Sequence, residues 1–445
     1  MLLSMKLSKL TMLASAGVLL AAASVATVFC CYRALLPIEI DPNEAWNAWQ
    51  SKSLAHLYPN SDALIVNNYP PLYFYFLHCF SLLGYEEIYA GRAISILASF
   101  ALTFLVYRTI LIFGMPRIAA GIGAIWFLAT LAGSYTGYVG MNDPHLTGLA
   151  VMCAGFTWFV ARTQRGQAVE PAVLLMVLAG FIKHSLIAIP VAAFIWLAFE
   201  SPLRATRAAV CGAVACAAGL VICHMAYGTN FIEQLLMPRD VSLDNAHLAL
   251  ASLKPLLAGS AIVTIWLVYD RRRRLTQKMA ILLSLTLASG FVQGLGAGVD
   301  VNAYFEYLFA LAAGIGIAAG RSQALYWATL GSDRIGMALP VVLLLGLSLS
   351  SKDEPYRLIF SKDFRGELAE NVEAVQTEAA RVKKIPGPVS CTVMLVCYWA
   401  KKSFVWDDFA LKQRVSTGKW TQQELDRKAR LQRVRFETID DRTVW

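Results

Sequence analysis

Through its first 350 residues the chain repeats apolar runs about as long as a bilayer is thick, separated by short arginine-bearing gaps. A helix rises 1.5 Å per residue, so about 20 apolar residues cover a hydrocarbon core of about 30 Å. Runs at 11–32, 89–112, 118–139, 144–161, 171–182, 185–199, 207–226, 255–270, 279–298, 303–320 and 333–350 give eleven expected crossings. With 57% hydrophobic and 16% charged residues, the sequence is too apolar for a soluble domain. The expectation is an all-α polytopic membrane protein over residues 1–350.

Charge sets the orientation. The net charge of +9 does not point to nucleic acid, because the basic residues fall in the gaps between runs and in the tail. Lys6 and Lys9 precede the first run, which reads as an uncleaved helix rather than a secretory signal. Arg108, Arg117, Arg162, Arg165, Arg204, Arg207, the run Arg271 to Arg274 with Lys278, and Arg321 then share one face, the cytoplasmic one by the positive-inside rule. This parity requires residues 70–83, which open on Pro70-Pro71 and end at Gly84, to lie in the outer interface without crossing. The loop at 33–88 is then periplasmic, and the expected location is a bacterial inner (plasma) membrane with the active site facing the periplasm.

Two of these runs are too short to span the core alone. Residues 171–182 and 185–199 meet at Phe181-Ile-Lys-His-Ser185, and about 12 residues span only about 18 Å. Their turn is expected at membrane depth, where Lys183 and His184 either form the cationic floor of an outward cavity or, for Lys183, snorkel to the surface.

Composition changes after Ser350. Residues 351–445 carry 32 charged positions, and their patterns predict helices at 361–384 and 421–432 and strands at 388–399 and 433–439, a small soluble periplasmic α/β domain. Nine cysteines show no CxxC pair, which argues against zinc. Cys391 and Cys397, six apart on one expected strand, would not meet, so no disulfide is expected between them.

Candidate chemistry gathers on the outer face. In Asp41-Pro-Asn-Glu44-Ala-Trp-Asn-Ala-Trp49, Pro42 suits a first helical turn and Asp41 its cap, which leaves Glu44 as the acid without a structural task. Trp46 and Trp49 offer an aromatic surface of the kind that stacks on sugars. Asn142-Asp143-Pro144 opens a helix on the same face, where Asp143 is either cap or catalytic support. Arg92 either binds phosphate or snorkels. Asp300, Asn302 and Glu306 open a later helix, with Asn302 and Glu306 sharing one side. Asp41, Glu44 and Asp143 are also the candidate ligands of a divalent cation, since such ions prefer carboxylate oxygen.

The acid-bearing first loop, Asn68-Tyr69-Pro-Pro-Leu-Tyr73, Gly91-Arg92, Asn142-Asp143-Pro144 and Lys183 together resemble the GT-C superfamily of membrane glycosyltransferases, nearest the lipid A aminoarabinose transferases and protein O-mannosyltransferases. The resemblance covers roughly residues 10–320. It implies transfer of a sugar from a polyprenyl-phosphate carrier to a lipid or glycan acceptor, with an acidic first-loop residue as base and Asp143 in support. Those families often carry adjacent Asp-Glu in the first loop, whereas here Asn43 precedes Glu44 and Asp41 lies further back. Glu44 is expected to be the base, with Arg92, Lys183 and His184 meeting phosphate and Tyr69, Asn142, Asn302 and Glu306 in the binding site. The rival reading is a transporter or flippase of lipid-linked or anionic solutes, which uses similar buried charges but should show matching interruptions in two halves.

Overall fold

In the computed structural model, which describes residues 2–60, 62–328 and 333–445 and the side chains among them except at 2–13, 15 and 322–340, every expected crossing falls on a helix. In chain order these and their neighbours are α1 Leu2–Ala34, α2 Asn43–Lys52, α3 Leu72–Leu82, α4 Glu87–Ile112, α5 Arg117–Ser134, α6 Pro144–Gln164, α7 Glu170–Gly180, α8 Ala188–Glu200, α9 Pro202–Tyr227, α10 Thr229–Leu235, α11 Ala246–Ala251, α12 Leu257–Tyr269, α13 Arg274–Gly294, α14 Phe305–Ala328 and α15 Asp333–Ser348. Among the described residues seven helices are long and apolar enough to cross a bilayer, or eight if the bent pair Leu243–Ala251 with Lys254–Tyr269 is one span, fewer than the eleven crossings expected. Lys6 and Lys9 lie outside the described side chains.

Helix α14 is the axis of the bundle, and the stretch 303–320, which takes in its start, is buried throughout. Backbones approach closely around it because the facing residues are small: a Cβ on Gly123 would sit 2.6 Å from the Ala312 carbonyl oxygen, and one on Gly316 3.0 Å from that of Ala119. The first helix belongs to the same core, burying Leu19, Ala23, Ala26, Phe29 and Cys30. By contrast α9 leaves most of its apolar surface outward, as a helix at a lipid boundary does.

Ion pairs mark one end of the bundle. Arg207 meets Glu170 at 3.1 Å, Lys278 meets Glu200, and Arg273 meets Asp270 at 2.8 Å, which gathers the start of α7 with that of α9 and the end of α8 with the start of α13. Helices α7 and α8 therefore rise from the arginine-bearing end as a hairpin. At 11 and 13 residues they reach only about 16–20 Å. The tip at 181–187 meets the first loop from below, with the Leu72 amide bonded to the Phe181 carbonyl at 3.2 Å.

The tail folds as α16 Glu354–Phe360, α17 Lys362–Lys383, β1 Val389–Cys391, α18 Met394–Trp399, α19 Asp408–Ser416, α20 Gln422–Leu431 and β2 Arg435–Glu437. Both expected helices form. Ser361 caps α17, and Thr421 with Glu424 forms a capping box on α20. β1 and β2 pair in parallel, Val389 opposite Arg435 and Cys391 opposite Glu437. The expected strand at 388–399 is corrected: only Val389–Cys391 is extended, and the chain turns at Thr392 into α18. The expected absence of a disulfide falls with it. A strand would carry Cys397 about 20 Å from Cys391, whereas the turn and helix fold it back to a Cα separation of 5.8 Å and the two are bonded.

This tail closes over the first loop. The Glu39 carboxylate accepts the Leu395 amide at 2.7 Å, its backbone N–H donates to Thr443, and its carbonyl accepts from Trp445. Trp399 donates from Nε1 to the Pro37 carbonyl, and Tyr398 reaches Glu86, Glu87 and Lys52. Loop and tail thus share one end of the bundle, opposite the arginine-bearing end.

Candidate active site

The first loop is held by one buried ion pair. Arg92, in the second turn of α4, gives its Nε and Nη2 to the two oxygens of Glu44 at 2.7 Å each, and both side chains are buried. Its remaining donors reach the carbonyls of Ala34, Leu36 and Ile38, the chain leaving α1. Carbonyls at the end of a helix carry partial negative charge, so a guanidinium is a fitting partner. Glu44 also accepts the amides of Ile40 at 3.0 Å and Asn142 at 3.1 Å, so each oxygen has two donors and none is open. This differs from the expectation for both residues. Arg92 does not face outward for a phosphate, and Glu44 has a structural task.

Asn142 completes the knot. Its amide group donates to the Glu44 carbonyl at 3.0 Å and accepts from the Tyr73 hydroxyl at 2.7 Å, while its backbone carbonyl accepts from Asn47 at 2.9 Å. Gly91 makes room for it, since a Cβ there would lie 1.9 Å from Asn142 Oδ1. Asn47 and Tyr73 were given no role from the sequence, although Tyr73 ends the Asn68–Tyr73 motif. Asn47 carries the one available signal, lying one turn beyond Glu44 on the same helix face.

The open groups lie beside this knot. Asp41 is half-buried, with Oδ1 accepting the Asn43 amide at 2.8 Å and Oδ2 without a protein donor among the described residues. Burial, with the neighbouring Asp143, Glu44 and Asp300 carboxylates, pushes its pKa up to about 6 against the Asn43 amide, which lowers it. Asp143 caps α6 through the His145 amide at 2.8 Å, and burial raises its carboxyl while the nearby Lys183 cation opposes that. Asp300 is exposed and accepts the Tyr138 hydroxyl at 3.1 Å. Lys183 is buried at the tip of the α7–α8 hairpin, its Nζ 3.6 Å from the centre of the Tyr69 ring, with no hydrogen bond or ion pair among the described residues. His184 beside it is exposed. The structure therefore brings the Asp41, Asp143 and Asp300 carboxylates within electrostatic reach of one another, and Lys183, over the Tyr69 ring, within reach of Asp143.

Other candidates are placed elsewhere. Glu306 is buried and accepts the amides of Ile189 at 2.9 Å and Ala188 at 3.4 Å, so it caps the start of α8 instead of lining a binding site. Asn302 lies in a separate 3-10 turn, Val301–Tyr304, without a side-chain hydrogen bond among the described residues, and does not form a shared face with Glu306 on one helix. Trp46 donates to Asp407 at 3.1 Å and Trp49 to the Lys402 carbonyl at 3.0 Å while stacking on Phe404, so both anchor the tail in place of presenting rings to a sugar. The cation set Asp41, Glu44 and Asp143 is also corrected. Glu44 has no open oxygen, and among the described residues no three acidic, histidine or cysteine side chains converge on a point.

A bundle of membrane-length apolar helices, with a short helical hairpin, an acidic first loop and a tail closed over that loop, is a fold the chain shares with solved structures of other proteins. It is similar to the aminoarabinose transferase ArnT of Cupriavidus metallidurans, in the apo state with TM-score 0.61 at 13% identity over 94% of this chain and 91% of that one, and bound to undecaprenyl phosphate with TM-score 0.60 at 13% identity over 94% and 90%. It is also similar to the Archaeoglobus fulgidus oligosaccharyltransferase in its apo form, with TM-score 0.52 at 10% identity over 94% and 69%. No protein-family profile and no curated protein matches the chain.

Proposed function

We propose that this protein is a glycosyltransferase that moves a sugar from a polyprenyl-phosphate carrier to a lipid or glycan acceptor at the periplasmic face of a bacterial inner membrane. The observation that carries the reading is an open oxygen on the first-loop acid Asp41 beside Asp143, with Lys183, a buried cation without a hydrogen bond or ion pair among the described residues, within electrostatic reach of that same Asp143. The shared fold supports it, since one neighbour of that fold is bound to undecaprenyl phosphate.

In this reading Asp41 takes the proton of the acceptor hydroxyl. The acceptor oxygen bonds to the anomeric carbon as the bond from that carbon to the carrier phosphate oxygen breaks. The leaving phosphate gathers negative charge, which Lys183 neutralises in surroundings where water screens little. Asp143 and Asp300 raise the basicity of Asp41, and Asp143 holds the start of α6 beside it. The roles first expected of the two acids are exchanged: Asp41 is the base, while Glu44 with Arg92 shapes the loop that presents it.

The test is transfer by the purified protein supplied with polyprenyl-phosphate sugars, read as release of the lipid phosphate. Asp41→Asn is expected to lower turnover about 10²–10⁴-fold, the usual loss of a positioned base, with unchanged thermal unfolding. Full turnover in that variant would remove Asp41 from the chemistry, and no release from any polyprenyl-phosphate sugar would overturn the function.

A further inference from the structure

The arginine-bearing end holds a second charged feature, far from the first loop. Between α12 and α13 the chain turns through Asp270, Arg271, Arg272 and Arg273, and α13 opens on Arg274. Under this turn lies an open hollow of about 590 Å³ lined by Val268, Tyr269, Asp270 and Arg271 to Arg273.

The charges around it do not balance. Among the described residues of this end, Glu170 pairs with Arg207, Glu200 with Lys278, and Asp270 with Arg273. Asp270 is filled further by the Thr276 hydroxyl at 3.0 Å. Arg271, Arg272 and Arg274 are exposed and have no carboxylate partner among the described residues. Three unpaired guanidinium groups within four residues repel one another unless an anion lies among them. A planar guanidinium offers two parallel N–H groups that match two oxygens of one phosphate.

The other wall is apolar. Ile265, Val268 and Tyr269 are 70%, 65% and 76% exposed, a strip running down α12 from the arginines. A tyrosine, apolar in its ring and polar at its hydroxyl, suits the level of lipid headgroups. A ligand matching both walls has a phosphate at the turn and a hydrocarbon chain along the helix. We propose that this hairpin is a binding site for an anionic glycerophospholipid of the surrounding bilayer, its phosphodiester held by Arg271, Arg272 and Arg274 and its acyl chain lying along Ile265 and Val268.

The experiment titrates the detergent-solubilised protein with phosphatidylglycerol or phosphatidylcholine and reads bound lipid by native mass spectrometry. Each basic residue near a headgroup contributes about fivefold in binding, so three give a preference for phosphatidylglycerol on the order of 100-fold. R271Q/R272Q/R274Q should abolish it. R108Q/R117Q/R165Q, which removes the same charge from exposed arginines elsewhere on this end, should keep it. R271K/R272K/R274K preserves charge and topology but not the two-pronged contact, and should bind severalfold more weakly. Inorganic phosphate at millimolar concentration should not displace the lipid. Equal loss in both glutamine triples, unchanged binding in the lysine triple, or displacement by inorganic phosphate would each overturn the proposal.

Discussion

Asp41 and Glu44 stand three residues apart in the same loop and have opposite surroundings. Glu44 is enclosed by four donors, so Glu44→Gln leaves the Arg92 charge buried and uncompensated. Breaking a buried pair from one side costs about 3–5 kcal/mol, and the variant should unfold at a clearly lower temperature whether or not substrate is present. The opposite is expected at Asp41, where kcat/KM should rise with pH through a midpoint near 6 and then level, because burial and neighbouring carboxylates hold the base form back at lower pH. A profile flat from pH 5 to 8 would show that Asp41 does not titrate in the reaction. The sequence pointed to both acids and to the cation at Lys183. It could not tell the acids apart, because the donors that occupy Glu44 come from residues 40, 92 and 142, and spacing within one loop carries no record of them.

At the scale of elements, the α6 start, the α4 start and the first loop meet at a point with no spare volume. Gly91→Ala would drive a Cβ to 1.9 Å from Asn142 Oδ1, and overpacking of this kind costs about 1–3 kcal/mol, read as a fall in midpoint temperature. Helix α18 is the corresponding fixture on the tail side. Replacing Cys391 and Cys397 by serine removes a short covalent loop worth about 2 kcal/mol and should loosen α18 from Glu39, seen as faster proteolysis between α17 and α19. Glu39 adds a pH dependence. Burial raises its carboxyl from 4.5 to about 8, so the folded state holds a proton that the unfolded chain has lost. Its stabilising contribution is complete below 4.5 and disappears as pH rises to about 8. Glu39→Gln, neutral throughout, should flatten that decline in the melting temperature. The long helices were legible because their apolar runs exceed any other use. The α18 turn was not, because Cys-Thr-Val-Met-Leu-Val-Cys reads as a strand by composition, and what bends it is pairing with Glu39 at the far end of the chain.

For the whole molecule, the shared end of loop and tail gives a topological expectation. A phosphatase fused after Trp445 through a flexible linker should be active, and a fluorescent reporter that folds only in the cytoplasm should stay dark. The reverse pair of results would place the first loop and Asp41 in the cytoplasm. The bundle was readable from hydropathy and arginine placement. The closure of the tail on the loop was not, because it depends on single contacts between distant segments, such as Trp46 with Asp407. Those contacts also fix an order of events. Glu39, which follows the first helix, takes its backbone partners from Thr443 and Trp445, and pairings of such long separation are slow to form. During synthesis the first loop emerges early and must wait, uncovered, until Thr443 and Trp445 have been made and brought to the same side, so a ribosome-stalled product that stops short of them would carry its helices in place and its first loop uncovered.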